Sequence, residues 1–107
     1  MFVTVSVRGH KTAALVDTGA SYSLISFKKW QDVKEAGENP VTCNLKLLTA
    51  NEQPVNLIGK TTLDVEIDGA VYFRQPFLIA RGLGTDMLLG CDFLRTNAAI
   101  IDCYGNC

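Results

Sequence analysis

This 107-residue chain lacks the ingredients of a zinc site: it has one histidine, His10, and four cysteines, Cys43, Cys91, Cys103 and Cys107, with no Cys-x-x-Cys pair. The usual ligand spacings of a structural zinc are therefore excluded, and no metal or organic cofactor is expected. An excess of one charge is also missing. Ten Lys and Arg stand against eleven Asp and Glu, for a net charge of −1, which offers little to a nucleic-acid backbone. No apolar run approaches the roughly 18 residues needed to cross a bilayer. Met1-Phe2-Val3-Thr4-Val5-Ser6-Val7 alternates apolar and polar residues, the pattern of a strand and not of a signal peptide. These absences predict a single domain over residues 1–107 with neither nucleic acid nor membrane as partner. The cysteines are expected as free thiols in a reducing compartment, with a disulfide at the chain end arising only by oxidation across an interface. A domain this small buries only roughly 60–70% of its unfolded surface, so an oligomeric interface is a natural source of added stability.

What is present reads as β-structure. Val3, Val5 and Val7 mark one face of a first strand, which turns at Arg8-Gly9-His10-Lys11. Thr12 to Val16 reads as a second strand, apolar on both faces as a central strand would be. Ser23 to Ser26 is extended and Phe27 to Val33 a short helix, with Trp30 packing onto the sheet; Glu35 to Pro40 is a polar loop. Val41 to Thr49 is extended, Ala50 to Pro54 a turn, and Val55 to Leu57 the return from it. Leu63, Val65 and Ile67 alternate with acidic residues up to Asp68-Gly69, a strong hairpin signal leading into Val71 and Phe73. Pro76 to Ala80 is a further strand. Cys91 to Asn97 fits one or two helical turns, and Ala98 to Asp102 a closing strand. Many short strands with Gly-containing turns predict an all-β, closed or folded-over sheet.

The chemistry-bearing segment is Asp17-Thr18-Gly19-Ala20, preceded by Ala13-Ala14-Leu15-Val16. A carboxylate where an apolar strand runs into a Gly-containing turn is costly unless something uses it. An Asp that caps the turn is the alternative for the motif taken alone. A second block, Leu88-Leu89-Gly90-Cys91-Asp92-Phe93-Leu94, follows later in the chain.

The two blocks in order, with the hairpin between them, resemble the retropepsin-like (retroviral-type) aspartic proteases, above all those of LTR retrotransposons, over nearly the whole chain. The resemblance implies a closed β-barrel with one short C-terminal helix that functions as a homodimer. Each protomer then carries half an active site. Asp17 is implied as the catalytic residue, with Thr18, Gly19 and Ala20 positioning it. Two Asp17 carboxylates would meet across a two-fold axis and share one proton, one acting as general base on water and the other as acid. Ala50, Asn51, Glu52, Gln53, Pro54 and Val55 would form the flap, a hairpin that closes over an extended peptide or polyprotein substrate. Leu15 and Leu89, with Ala20 and Val55, are expected beside the cleft and imply apolar residues flanking the cut. The terminal strands of the two protomers would interleave. The setting implied is the cytoplasm or a retroelement particle.

Two departures stand out. The flap tip carries Asn51, Glu52, Gln53 and Pro54 where retroviral flaps are often Gly-rich. Ser21-Tyr22 and Cys91-Asp92 replace the acidic residues and the Arg that brace many retroviral dimers, leaving Asp92 to pair with Arg8 or Arg95. Two other functions fit the same residues: a cellular retropepsin-like domain of the ubiquitin-shuttle type, and a dimeric peptide-binding module without turnover.

Overall fold

Val3, Val5 and Val7 are buried on strand β1 (Phe2–Val7) while Phe2 and Thr4 face out, so the alternation predicted from sequence sets the inward face of the first strand. The computed structural model describes residues 1–48, 53–67 and 71–96. β1 folds back onto β2 (His10–Val16) in register Val7↔His10 to Phe2↔Leu15. The turn is only Arg8 and Gly9, both at positive φ (50° and 83°), the geometry that matches the right-handed twist of a hairpin. β2 therefore starts earlier than its apolar run suggests. Its faces also differ: Thr12 and Ala14 are buried, Lys11 and Ala13 exposed, so it is a one-sided strand and not the doubly buried strand expected.

β3 (Leu24–Ser26) leads directly into helix α1 (Phe27–Val33). Ser26 caps that helix through its side-chain oxygen, which accepts from Lys29 N at 3.0 Å. Trp30 and Val33 are the buried residues of α1 and join the main core. β4 (Asn56–Ile67) and β5 (Val71–Arg81) form a long antiparallel pair closing at Ile67↔Val71; the Asp68-Gly69 turn itself lies outside the described residues. Two short expected strands fuse into β5 across Pro76. The proline is tolerated because β3 pairs with β5 only from Leu78 onward, so at Pro76 the missing N–H faces no partner strand. β6 (Met87–Leu89) precedes helix α2 (Cys91–Thr96).

The strands close into a barrel in the order β1-β2-β6-β3-β5-β4, with β4 returning to β1. Most pairs are antiparallel; β2–β6 and β3–β5 are parallel. The barrel interior holds Val5, Val7, Leu63, Val65, Phe77, Ile79, Met87 and Leu89. A second, smaller apolar cluster of Leu24, Leu78 and Leu88 lies apart from it. The fold class is thus the expected closed β-barrel with a short C-terminal helix, with α1 as the additional helix that the 27–33 segment suggested. The closing strand expected at Ala98 to Asp102 lies outside the described residues.

Residues 41–48 are not a strand. Val41 bridges to Lys60 and Leu48 to Pro54, and no ladder joins the two bridges. Gly59 makes the first bridge possible: a Cβ there would lie 2.7 Å from the Val41 carbonyl oxygen and 2.9 Å from Pro40 Cβ, at a register shift in β4. The cysteines also differ from expectation. Cys43 is a free thiol, but Cys91 is disulfide-bonded. Lack of a Cys-x-x-Cys pair says nothing about cysteines that meet in space.

The β1–β2 turn is clamped to the polar loop. Arg8 donates from Nη1 and Nη2 to Glu38 at 2.6 and 3.0 Å, and from Nη1 to the Val33 carbonyl at 3.1 Å. Arg8 is therefore not the partner of Asp92. The guanidinium hydrogen bonds, followed by the Glu35 backbone N–H, hold the Glu38 carboxyl down to about 2 from its usual 4.5. Because the folded value is depressed, this clamp stabilises fully above about 4.5 and is lost as pH falls through about 2. The effect is about 1 kcal/mol or less for a pair this close to solvent. Urea midpoints of the wild type should fall towards those of Glu38→Gln between these pH values; parallel curves would contradict the clamp.

Candidate active site

The Asp17 loop starts where β2 ends. Parallel pairing of β2 with β6 sets Val16 beside Leu89, and the ladder runs one step further, with Asp17 N donating to Leu89 O at 3.0 Å. The chain then turns: Ala20 N donates to Asp17 O at 3.2 Å, and Gly19 N donates to Asp17 Oδ1 at 2.9 Å. The carboxylate is thereby held at one oxygen and is half-buried, while Thr18 and Gly19 are exposed. A short local bond to the backbone N–H two residues on is what an Asx turn supplies. Here it orients the carboxylate as well as the turn.

The second block lies directly beneath the first. Cys91 N donates to Ala20 O at 2.7 Å, and Cys91 Sγ stands 2.9 Å from Thr18 O. A disulfide sulfur carries no proton, so the latter is a close sulfur–oxygen contact. Between these anchors Gly90 passes so near the loop that a Cβ would lie 2.6 Å from Tyr22 O and 2.7 Å from Ala20 O. The requirement for Gly at this position is thus close approach of two backbones.

Asp17, Gly19 and Ala20 face a cleft of about 930 Å³. Its apolar walls include Leu24, Leu47, Pro54, Val55, Leu83 and Leu88, and Tyr22 and Asn56 add polar groups. Of the flap residues named from sequence, Pro54 and Val55 line the cleft, Gln53 is exposed, and Ala50, Asn51 and Glu52 lie outside the described residues. The hairpin stem is present: Leu48 pairs with Pro54, and Val55 N donates to Leu47 O at 2.9 Å.

The two proposed pocket leucines are placed differently from one another. Leu89 is fully buried in the barrel core, and its neighbour Leu88 lines the cleft instead. Successive residues of a strand face opposite sides, and only the register of β6 decides which leucine points out. Leu15, half-buried and opposite Leu88, packs against the smaller apolar cluster, whose Leu24 and Leu88 line the cleft. Sequence reading also missed that Ser23, Gln75 and Asp92 meet behind the loop. Ser23 Oγ donates to Asp92 Oδ1 at 2.7 Å, and Gln75 Nε2 donates to Asp92 Oδ2 at 3.0 Å. No spacing rule joins residues so far apart in the chain. Among the described residues, no group of three or more His, Cys, Asp or Glu is placed to hold a metal ion. No helix of the described residues is long and apolar enough to cross a membrane.

A closed barrel that delivers an Asp-Thr-Gly loop to an apolar cleft, braced from beneath by an apolar-Gly segment, is the architecture of a retroviral-type aspartic protease protomer. The chain belongs to that family: residues 3–96 match the family described as "gag-polyprotein putative aspartyl protease". It is 32% identical over 114 residues to the UBA domain-containing protein Mud1 of Schizosaccharomyces pombe, covering 99% of this chain and 31% of that protein. The chain thus spans about a third of the length of this curated relative. Two solved structures share the fold. The retroviral protease-like domain of Ddi1 from Leishmania major superposes with a TM-score of 0.74 at 17% identity, covering 92% of this chain and 77% of that one. EIAV protease, complexed with an inhibitor, gives a TM-score of 0.74 at 17% identity, covering 92% and 88%.

Two predictions follow from the geometry. Leu89→Ala should cost about 2–5 kcal/mol in urea unfolding, as a truncation inside a packed core does, and Leu88→Ala, in the smaller cluster with one side on the cleft, should cost less. A larger loss at Leu88 than at Leu89 would contradict this assignment of the two faces of β6. Gly90→Ala should destabilise by about 1–3 kcal/mol or more, since its Cβ meets backbone oxygens that cannot swing aside; an unchanged midpoint would refute the close approach.

Proposed function

We propose that this chain is one protomer of a homodimeric aspartic endopeptidase, with Asp17 as its catalytic residue. The observation that carries this reading is an oriented carboxylate opening into an apolar cleft of about 930 Å³. One carboxylate cannot both take a proton from water and give one to the scissile bond. Two Asp17 side chains brought together across a two-fold axis can. Like charges in contact do not both ionise readily, so the pair holds one proton between them. The ionised member draws a proton from water, which attacks the peptide carbonyl; the protonated member hydrogen-bonds the carbonyl oxygen, and a proton then passes to the departing amine. Apparent pKa values belong to the pair. Thr18, exposed beside Asp17, is positioned to meet the partner's loop, and Gly19 and Ala20 shape the turn. Segment 48–55 acts as the flap, with Pro54 and Val55 on the substrate. The apolar walls favour extended peptides with apolar side chains at the cut. Water is the nucleophile, and the chemistry requires no metal or organic cofactor.

The match to a gag-polyprotein protease family supports processing of a retroelement polyprotein as the biological role. A second reading rests on a separate observation. The likeness to Mud1 extends over 99% of the chain, which favours a domain within a larger cellular protein of the ubiquitin-shuttle type. Flanking sequence decides between them: Gag or reverse transcriptase on one side of the question, ubiquitin-like or ubiquitin-binding domains on the other.

The test is cleavage of a peptide library with apolar residues at the cut, run on wild type and Asp17→Asn with sedimentation of each. The wild type should cut as a dimer and be blocked by pepstatin-type inhibitors. Asp17→Asn should remain dimeric and lose at least about a hundredfold in rate, the scale of losing acid–base catalysis. The pH profile should peak at acidic to neutral pH, where the pair keeps one proton. Activity that keeps rising into alkaline pH would overturn the shared-proton mechanism, and a folded dimer that cuts nothing would leave a peptide-binding module.

A further inference from the structure

Behind the Asp17 loop three polar side chains from separate parts of the barrel converge, and none of them lines the cleft. Ser23 precedes β3 and is 1% exposed; Gln75 on β5 is 2% exposed; Asp92 lies in the first turn of α2. Ser23 Oγ accepts from Gly90 N at 3.0 Å and donates to Asp92 Oδ1 at 2.7 Å. Gln75 Nε2 donates to Asp92 Oδ2 at 3.0 Å and to Pro76 O at 2.8 Å. Phe93 N adds a further donor to Asp92 Oδ1 at 2.7 Å.

The directions of these bonds matter. A hydroxyl has one proton, and a neighbouring carboxylate that is already receiving donors at both oxygens takes it. The Ser23 lone pairs are then left for Gly90 N, so Asp92 sets which way the Ser23 hydroxyl points. Gln75 is set the same way: with acceptors at both Asp92 and Pro76, its amide nitrogen has to face them. The end of this chain of bonds is Gly90, which lies against Ala20 O and Tyr22 O. The residues either side of it hold the Asp17 loop, through Asp17 N to Leu89 O and Cys91 N to Ala20 O. Holding the Gly90 peptide therefore holds both anchors of the loop.

We propose that Ser23, oriented by Asp92, is a positioning residue for Asp17, acting through the Gly90 backbone. This rests on the protease reading above. Ser23 and Asp92 touch no substrate; they fix the height and tilt of the loop that carries the carboxylate. Displacement of a catalytic group by an ångström costs on the order of a hundredfold in rate, so a loop released at this point loses turnover before it loses substrate binding.

The test uses Ser23→Ala, Ser23→Thr and Asp92→Asn in the full chain. Ser23→Ala should lower kcat by about tenfold to a hundredfold, with KM within about twofold because the cleft walls stay in place. Ser23→Thr, which returns the hydroxyl, should recover most of kcat. Asp92→Asn keeps the shape but offers one acceptor where two are used, and it should lower kcat as well. The double variant Ser23→Ala/Asp92→Asn should be no slower than the slower single variant, as residues in one chain of bonds behave. A KM rise at unchanged kcat, or losses that multiply, would overturn the proposal. Amide hydrogen exchange supplies a readout that does not depend on turnover. In Ser23→Ala the Asp17 and Cys91 amides should exchange faster while those of the β1–β4 pair at Val7 and Val65 do not. If the wild type cuts no peptide, the protease reading fails and exchange alone judges the positioning: selective loosening supports it, and uniform or absent change overturns it.

Discussion

The parallel pairing of β2 with β6 is the contact on which the rest of the site depends. Ala14, Leu15 and Val16 lie beside Met87, Leu88 and Leu89, and the bond from Asp17 N to Leu89 O prolongs that pairing into the loop. Parallel strands need a long connection between them. Here the connection is nearly the whole fold: β3, α1 and the β4–β5 hairpin all lie between the two strands in sequence. Bringing them together closes the barrel and sets one Asp-Thr-Gly turn over one Leu-Leu-Gly turn. Met87 and Leu89 are fully buried, so apolar burial anchors the strand pair that carries the carboxylate at its end.

Around that pairing the molecule separates stability from chemistry. The barrel interior contains the larger apolar cluster, while the smaller one, Leu24, Leu78 and Leu88, underlies the cleft. A strand with two apolar residues in succession serves both, because its side chains alternate. Leu24 and Leu88 of the cleft wall thereby stand on barrel strands. Residues 41–48 are different in kind: one isolated bridge, Val41 to Lys60, ties them to the barrel, and Leu48 bridges only to Pro54. Few backbone bonds and little buried surface mark this segment as the part of the described chain least held by the barrel.

Much of the fold was legible in the residues. Alternation in Val3-Thr4-Val5-Ser6-Val7 and in Leu63 to Ile67 marked inward faces that are buried. Phe27 to Val33 is the helix its pattern suggested, capped by Ser26. Other readings failed for identifiable reasons. An apolar run at Ala13 to Val16 suggested a strand buried on both sides, but Ala13 is small and stays at the surface. Pro76 suggested a break, yet β5 runs through it because no strand lies on that side. Val41 to Thr49 had strand-like composition, but the described residues 41–48 make only the isolated bridges Val41 to Lys60 and Leu48 to Pro54.

The sequence by itself determined the inward faces of β1 and β4, the turn at Arg8-Gly9, and the two blocks that place an Asp before Thr-Gly and a Gly after two leucines. These are local properties, settled by side-chain size, alternation and backbone freedom within a few residues. Only the tertiary structure decided that Leu88 and not Leu89 faces the cleft, that Arg8 belongs to Glu38 and not to Asp92, and that Ser23, Gln75 and Asp92 meet. Ser23 and Asp92 are 69 positions apart and Arg8 and Glu38 are 30. Closing the barrel fixes such distances through strand register, which depends on the sum of all pairings and is written in no single stretch of chain.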